Sequence, residues 1–125
     1  MPAIDLSNDW TIILEQPHPT ADLAARELTT ILSQISGRQY SVSNNISAEG
    51  SNFLLQYGDE ENDGFVWAAD GKNVHYYGKN PRGLLYAVYS FLEYLGCCWF
   101  APGKSGQVIP RGSVFSLPDQ PVTET

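Results

Sequence analysis

This chain has little with which to cross-link itself. Its two cysteines, Cys97 and Cys98, are adjacent, and a bridge between chain neighbours would close a strained ring outside normal disulfide geometry. With no C-x-x-C and no paired Cys/His spacing, the sequence offers no zinc site. No Lys, Arg or His stands beside the pair to lower a thiol pKa. Both cysteines therefore read as structural, one packed inward as a small hydrophobe and the other facing outward on a short strand. Positive charge is scarce as well. Seven Lys and Arg oppose 14 Asp and Glu, a net charge of −7 with a pI near 4.5. Nucleic acid and anionic membrane surfaces both demand a basic footprint, so neither is an expected partner. No apolar run approaches the ~20 residues of a membrane span. Met1 is followed by Pro2, Ala3 and a polar, strand-like segment, which does not read as a signal peptide.

Catalytic vocabulary is missing too. There is no G-x-S-x-G elbow, no H-E-x-x-H and no Gly-rich phosphate loop. The two histidines are His18, between two prolines in a loop, and His75, in a strand; neither has a clear partner, and both read as structural. Glycoside hydrolysis of the usual kind needs two carboxylates held several ångströms apart across a sugar site. Here Asp59, Glu60, Glu61 and Asp63 crowd into one tight loop, a poor place for two acids that need opposed environments. Asp59-x-Glu61-x-Asp63-Gly64 imitates a calcium loop, but Glu61 replaces the short acid and Asp70 the bidentate glutamate. Its flanks read as strands rather than helices, so a solvated connection is the better reading. No catalytic residue, metal or cofactor is expected, and the chain by itself is not expected to be an enzyme.

What is present is a core. Over 125 residues, 42% are hydrophobic and 17% charged, enough for one folded domain. Trp10–Leu14 is apolar and β-branched, a first strand bounded by Asn8-Asp9 and Pro17-His18-Pro19. Thr20 is the expected cap of a first helix running to about Ile35, with Gly37 as its stop. Ala21, Ala24, Ala25, Leu28, Ile31, Leu32 and Ile35 share one face of it. Residues 40–43 and 53–57 read as the next strands. Residues 65–69 and 74–77 flank Asp70-Gly71-Lys72-Asn73, a hairpin connection. A second helix opens at Asn80 as N-cap and Pro81 at the first position, and closes at a left-handed Gly96. Leu84, Leu85, Val88, Phe91, Leu92 and Leu95 fall on its apolar face; Tyr86, Ser90, Glu93 and Tyr94 fall on the other. A short aromatic strand at 97–100 follows, then a loop rich in Gly and Pro, with short strands near Val108 and Val114. So few helices among so many strands predict an α+β two-layer sandwich: a single mixed β-sheet with two helices side by side on one face.

Residues 80–102, NPRGLLYAVYSFLEYLGCCWFAP, carry a resemblance as well. Together with ADLAARELTTILSQISGRQYSV, FLLQYGD, GKNVHYYGKNPRG and VIP, in that order and spacing, they resemble an N-terminal accessory domain. It precedes the catalytic barrel of α-glucuronidases and β-N-acetylhexosaminidases, and of large bacterial proteins related to them. The resemblance spans residues 10–117. It implies that residues 1–125 form a single non-catalytic domain of a larger, secreted or periplasmic glycoside hydrolase. The partner would be the catalytic barrel of the same parent chain, beyond Thr125, which holds the catalytic acids. Positions turned toward that barrel are implied to be Lys79, Asn80, Arg82 and Gly83, and Trp99 and Phe100 after the helix. Relatives carry an arginine before the tryptophan where this chain has Cys98, so a charged contact there is not carried over.

The outer row of the second helix extends this surface. Tyr86, Ser90 and Tyr94 recur every fourth residue, and tyrosine is an odd choice for a face that only meets water. Tyr86 and Tyr94 are accordingly placed at the interdomain interface. The alternative is an independent carbohydrate-binding module, because Trp67, Tyr76 and Tyr77 lie on the predicted hairpin and tyrosine and tryptophan stack well on sugars. Alternate residues of a strand face opposite ways, so Tyr76 and Tyr77 cannot both enter one core.

Overall fold

The first helix begins earlier than its sequence suggests. Pro19, with φ already helical, takes the first position, the same role as Pro81 in the second helix. His18 rather than Thr20 is then the N-cap, its Nδ1 accepting from the Thr20 N–H at 3.1 Å. This computed structural model describes residues 3–6, 10–44, 51–70, 73–96, 112, 114–118 and 120–124. The expected strands at 97–100 and near Val108, with Cys97 and Cys98, lie outside the described residues.

Among the described residues the elements run β1 (Ala3–Asp5), β2 (Trp10–Leu14), α1 (Pro19–Ser36), β3 (Ser41–Ser43), β4 (Ser51–Tyr57), β5 (Phe65–Ala69), β6 (Val74–Gly78), α2 (Pro81–Tyr94), β7 (Val114–Ser116) and β8 (Val122–Glu124). The main sheet is six-stranded and mixed, in the order β3-β2-β4-β6-β5-β8. β3, β2, β4 and β6 are parallel; β5 pairs antiparallel with β6, and β8 antiparallel with β5. α1 makes the crossover that parallel β2 and β3 require. β5 and β6 form the expected hairpin, where Asp70 Oδ1 accepts from the Asn73 N–H at 2.7 Å. The single-sheet expectation needs one correction: β1 and β7 pair as a separate antiparallel ribbon. Ile4, Leu6 and Leu117, in and beside that ribbon, are buried in the main core. Strands of three residues are too short to show a period of two, which is why β1 and β8 leave no mark in the sequence.

Both helices lie on one face. α1 packs on α2, β2 and β3; α2 packs on α1, β4, β5 and β6. Ile12, Leu14, Phe53, Leu55, Val74, Tyr76 and Trp67 meet them in one cluster, while Gln56, His75 and Tyr77, of the opposite parity, are exposed. Ile13 and Leu54 share that opposite parity yet are buried, outside the main cluster. All seven expected α1 positions are buried. In α2 the buried arc is Gly83, Leu84, Ala87, Val88, Phe91 and Leu92, with Leu95 just beyond. Leu85 is only half-buried at its edge, because the small Gly83 and Ala87 turn the helix toward the sheet on their own side. Gly37 (φ 76°) and Gly96 (φ 113°) end the helices with positive φ, as their sequences suggest.

Aromatic rings fill the centre. Trp10 stacks on Phe53 at 4.3 Å, and Phe91 sets its ring edgewise against Phe53, Trp67 and Tyr76 at 6.2, 5.2 and 5.3 Å. Trp67 Nε1 donates to Ser90 Oγ at 3.0 Å. The Tyr76 hydroxyl, by contrast, is buried with no partner among the described residues, and burial pushes its pKa well above the usual tyrosine value. An orphaned buried hydroxyl carries an uncompensated desolvation cost. Tyr76→Phe should therefore raise stability at neutral pH by about 1 kcal/mol in urea unfolding. The raised folded-state pKa means that stability is intact below the unfolded value near 10 and falls as pH climbs toward the folded one. The variant should lose less stability than the parent protein across that alkaline range. A variant less stable at pH 7 would mean that the hydroxyl has a favourable partner.

Candidate functional site

The chain between β6 and α2, Gly78-Lys79-Asn80-Pro81-Arg82-Gly83, is built around one amide. Asn80 Oδ1 caps α2 by accepting from the Gly83 N–H at 2.8 Å. Its Nδ2 donates to Asn62 O at 2.8 Å, Asp63 Oδ1 at 2.9 Å and Glu60 O at 3.2 Å. Asn80 thus holds the acidic loop against the start of the helix, which a purely accepting cap could not do. Main-chain bonds reinforce the contact: Lys79 N–H donates to Gly64 O at 2.8 Å, and Glu60 N–H donates to Lys79 O at 2.9 Å. Arg82 pairs with Asp63 at 3.4 Å on the surface, where such a pair contributes little to stability. Gly83 is buried, and a methyl group there would come within 2.5 Å of Gly64 O. Asn80 and Gly83, implied by the resemblance to face a barrel, have an internal role. Lys79 is half-buried, with its backbone in the same network.

The acidic loop is consequently a structural clasp. Asp63 bonds Asn80 and Arg82, and Gly64 N–H donates to Asn62 Oδ1 at 3.0 Å. Among the described residues no group of three or more His, Cys, Asp or Glu side chains is arranged to hold a metal ion. His75, which shows no partner in sequence, has one in space: its Nε2 lies 3.1 Å from Asp70 Oδ2 at the hairpin tip. Both side chains are about half exposed (48% and 52%). His18 is the α1 cap described above.

The outer face of α2 leads into a concavity. Tyr86 is 43% and Tyr94 47% exposed, and Tyr94 meets Trp67 edgewise at 5.6 Å. Between this row and the β5–β8 edge lies an open groove of about 1060 Å³. Tyr86, Tyr89 and Tyr94 of α2 line it together with Phe65 and Trp67 of β5 and Val122 of β8. Glu27, Asp63, Glu93 and Glu124 stand around them. Burial, and secondarily the Glu27 carboxylate, hold the Tyr89 phenol above its ordinary pKa. Sequence reasoning located Tyr86 and Tyr94 but not Tyr89, Glu27 or Glu124, whose approach depends on α1 and β8. Of the hairpin aromatics, Trp67 and Tyr76 are buried and only Tyr77, 39% exposed, reaches solvent. Trp99 and Phe100 lie outside the described residues.

No family model matches the sequence, and no curated protein matches it significantly. Solved structures do. All of this chain superposes on 18% of BtGH115A, a family GH115 4-O-methyl-α-glucuronidase with specificity for decorated arabinogalactans, at a TM-score of 0.72 and 12% identity. A share of 94% superposes on 12% of a GH138 enzyme targeting pectin rhamnogalacturonan II, at a TM-score of 0.65 and 15% identity. With CpGH84D the shares are 70% and 18%, at 0.55 and 20% identity. The same fold recurs inside these glycoside hydrolases. This chain spans less than a fifth of each of them. At such low identity the likeness is one of fold, and a small domain within a larger enzyme is the unit it matches.

Proposed function

We propose that this chain is a non-catalytic, N-terminal accessory domain of a multidomain glycoside hydrolase, packing against the catalytic barrel as a scaffold. The observation that carries this reading is the proportion: a nearly complete match of this chain to a small fraction of much longer glycoside hydrolase chains. The resemblance of its motifs to the accessory domain of α-glucuronidases and β-N-acetylhexosaminidases agrees with it. Within the 59–63 loop, the Asp63 carboxylate is engaged by Asn80 and Arg82 at the α2 N-terminus. The parent would be secreted or periplasmic, with the barrel as partner of the surface formed by Arg82, Tyr86 and Tyr94.

Hydrogen exchange on this chain alone and within its parent enzyme tests the reading. Amides of residues 82–94 should gain protection in the parent, and equal protection in both forms would refute docking on this face. An independent carbohydrate-binding module is the second reading, favoured by the exposed Tyr77, Tyr86 and Tyr94. It would replace the first if added oligosaccharide, rather than the barrel, protected these segments.

A further inference from the structure

The groove beside α2 has an unbalanced lining. Glu27 of α1, Asp63 of the clasp, Glu93 of α2 and Glu124 of β8 converge on it from four elements, and no Lys, Arg or His is among its described lining residues. Asp63 is paired with Arg82, whereas Glu27, Glu93 and Glu124 enter no ion pair among the described residues. An acidic partner seated here would be repelled by these carboxylates, and an apolar one would desolvate them without compensation. A cationic partner would neutralise them.

The tyrosines narrow the choice of cation. Tyr86, Tyr89 and Tyr94 present aromatic surface beside the carboxylates. A guanidinium stacks on such rings and forks two hydrogen bonds to a carboxylate, whereas an ammonium is a hydrated point charge. We propose that this groove takes an arginine-bearing segment of the adjoining catalytic domain, so that the scaffold contact is aromatic and charge-complementary. This rests on the accessory-domain reading and adds the chemistry of the partner. A neutral saccharide would also stack on the tyrosines and donate hydroxyl hydrogen bonds to the carboxylates, but only a cation would balance the charge of the three that enter no ion pair among the described residues.

The probe is an acetylated tetra-arginine amide titrated into the full chain, followed by amide chemical shifts. Shifts should concentrate at Tyr86, Tyr89, Glu93, Tyr94 and Val122, and affinity should fall steeply with added salt. Glu27→Gln combined with Glu93→Gln should weaken binding about tenfold. Glu15→Gln combined with Asp22→Asn, which removes the same charge away from the groove, should leave it within about twofold. The amide spectra themselves report that each variant is folded. Equal loss from both pairs would reduce the effect to net charge and overturn the proposal. So would shifts at these residues from xylotetraose with none from the arginine peptide. A silent arginine titration would also overturn it, while protection of residues 82–94 in the parent would leave the docking reading standing.

Discussion

Gly78→Ala should leave little folded protein. Gly78 ends β6, paired with Tyr57 on one side and Phe65 on the other, and its carbonyl accepts from the Gly58 N–H. A methyl group at this position would overlap the Leu84 amide nitrogen and stand 2.6 Å from both Asn80 O and Gly83 C. All three are backbone atoms, so no side chain can rotate away. Relief requires the first turn of α2 to lift from the sheet, which would pull Asn80 out of the 58–64 loop. Overpacking against unyielding atoms belongs to the costliest class of single substitutions, about 4 kcal/mol or more. That is a large share of the ~5–15 kcal/mol that holds a domain of this kind together. Gly37→Ala is the informative control. Gly37 has φ 76° with nothing within 4 Å of the added methyl, so only conformational strain of roughly 1–2 kcal/mol applies. Urea midpoints for the two variants should differ widely. If Gly78→Ala lost no more than Gly37→Ala, the β6–α2 junction would be able to spread and its close packing would not be required.

Asn80→Asp should destabilise the domain by about 2–3 kcal/mol at neutral pH, although Asn and Asp are nearly equivalent at an ordinary N-cap. The carboxylate would still accept from the Gly83 N–H and would favour the positive end of the helix. It would lose all three bonds that the amide now donates, to Glu60 O, Asn62 O and Asp63 Oδ1. It would also set a second negative charge against Asp63 and two carbonyl oxygens. Thermal melts at pH 7 should show the loss, and part of it should return at acid pH as the carboxyls protonate. If Asn80→Asp proved as stable as the natural chain, the clasp would contribute nothing and Asn80 would be only a cap.

Much of this arrangement is legible in the sequence because it is local. Pro81 after Asn80 starts a helix wherever the chain goes, and Gly96 ends it. The apolar period places Leu84, Val88, Phe91 and Leu92 inward without reference to what they meet. Asp70 to Asn73 turns the chain between two apolar strands on its own chemistry. The donor side of Asn80 is not legible, because its partners Glu60, Asn62 and Asp63 precede it by 17 to 20 residues. The resemblance places Asn80 and Gly83 on an outward surface, whereas the loop packs over them and gives both an inward task. Leu85 departs from its expected burial for a related reason: a helical wheel shows the width of a stripe but not how far the small Gly83 and Ala87 rotate it toward the sheet.

The sequence by itself determined the class of fold, the limits of both helices to within a residue or two, their buried faces, and the tyrosine row on α2. Each depends on interactions within one or two turns, where spacing along the chain is spacing in space. Only the tertiary structure decided the β1–β7 ribbon, the outer position of β8, and the groove where Glu27, Asp63, Glu93 and Glu124 converge. Those carboxylates come from α1, a loop, α2 and the last strand. No periodicity links them, and it is the packing of both helices on one face of the sheet that brings their charges together.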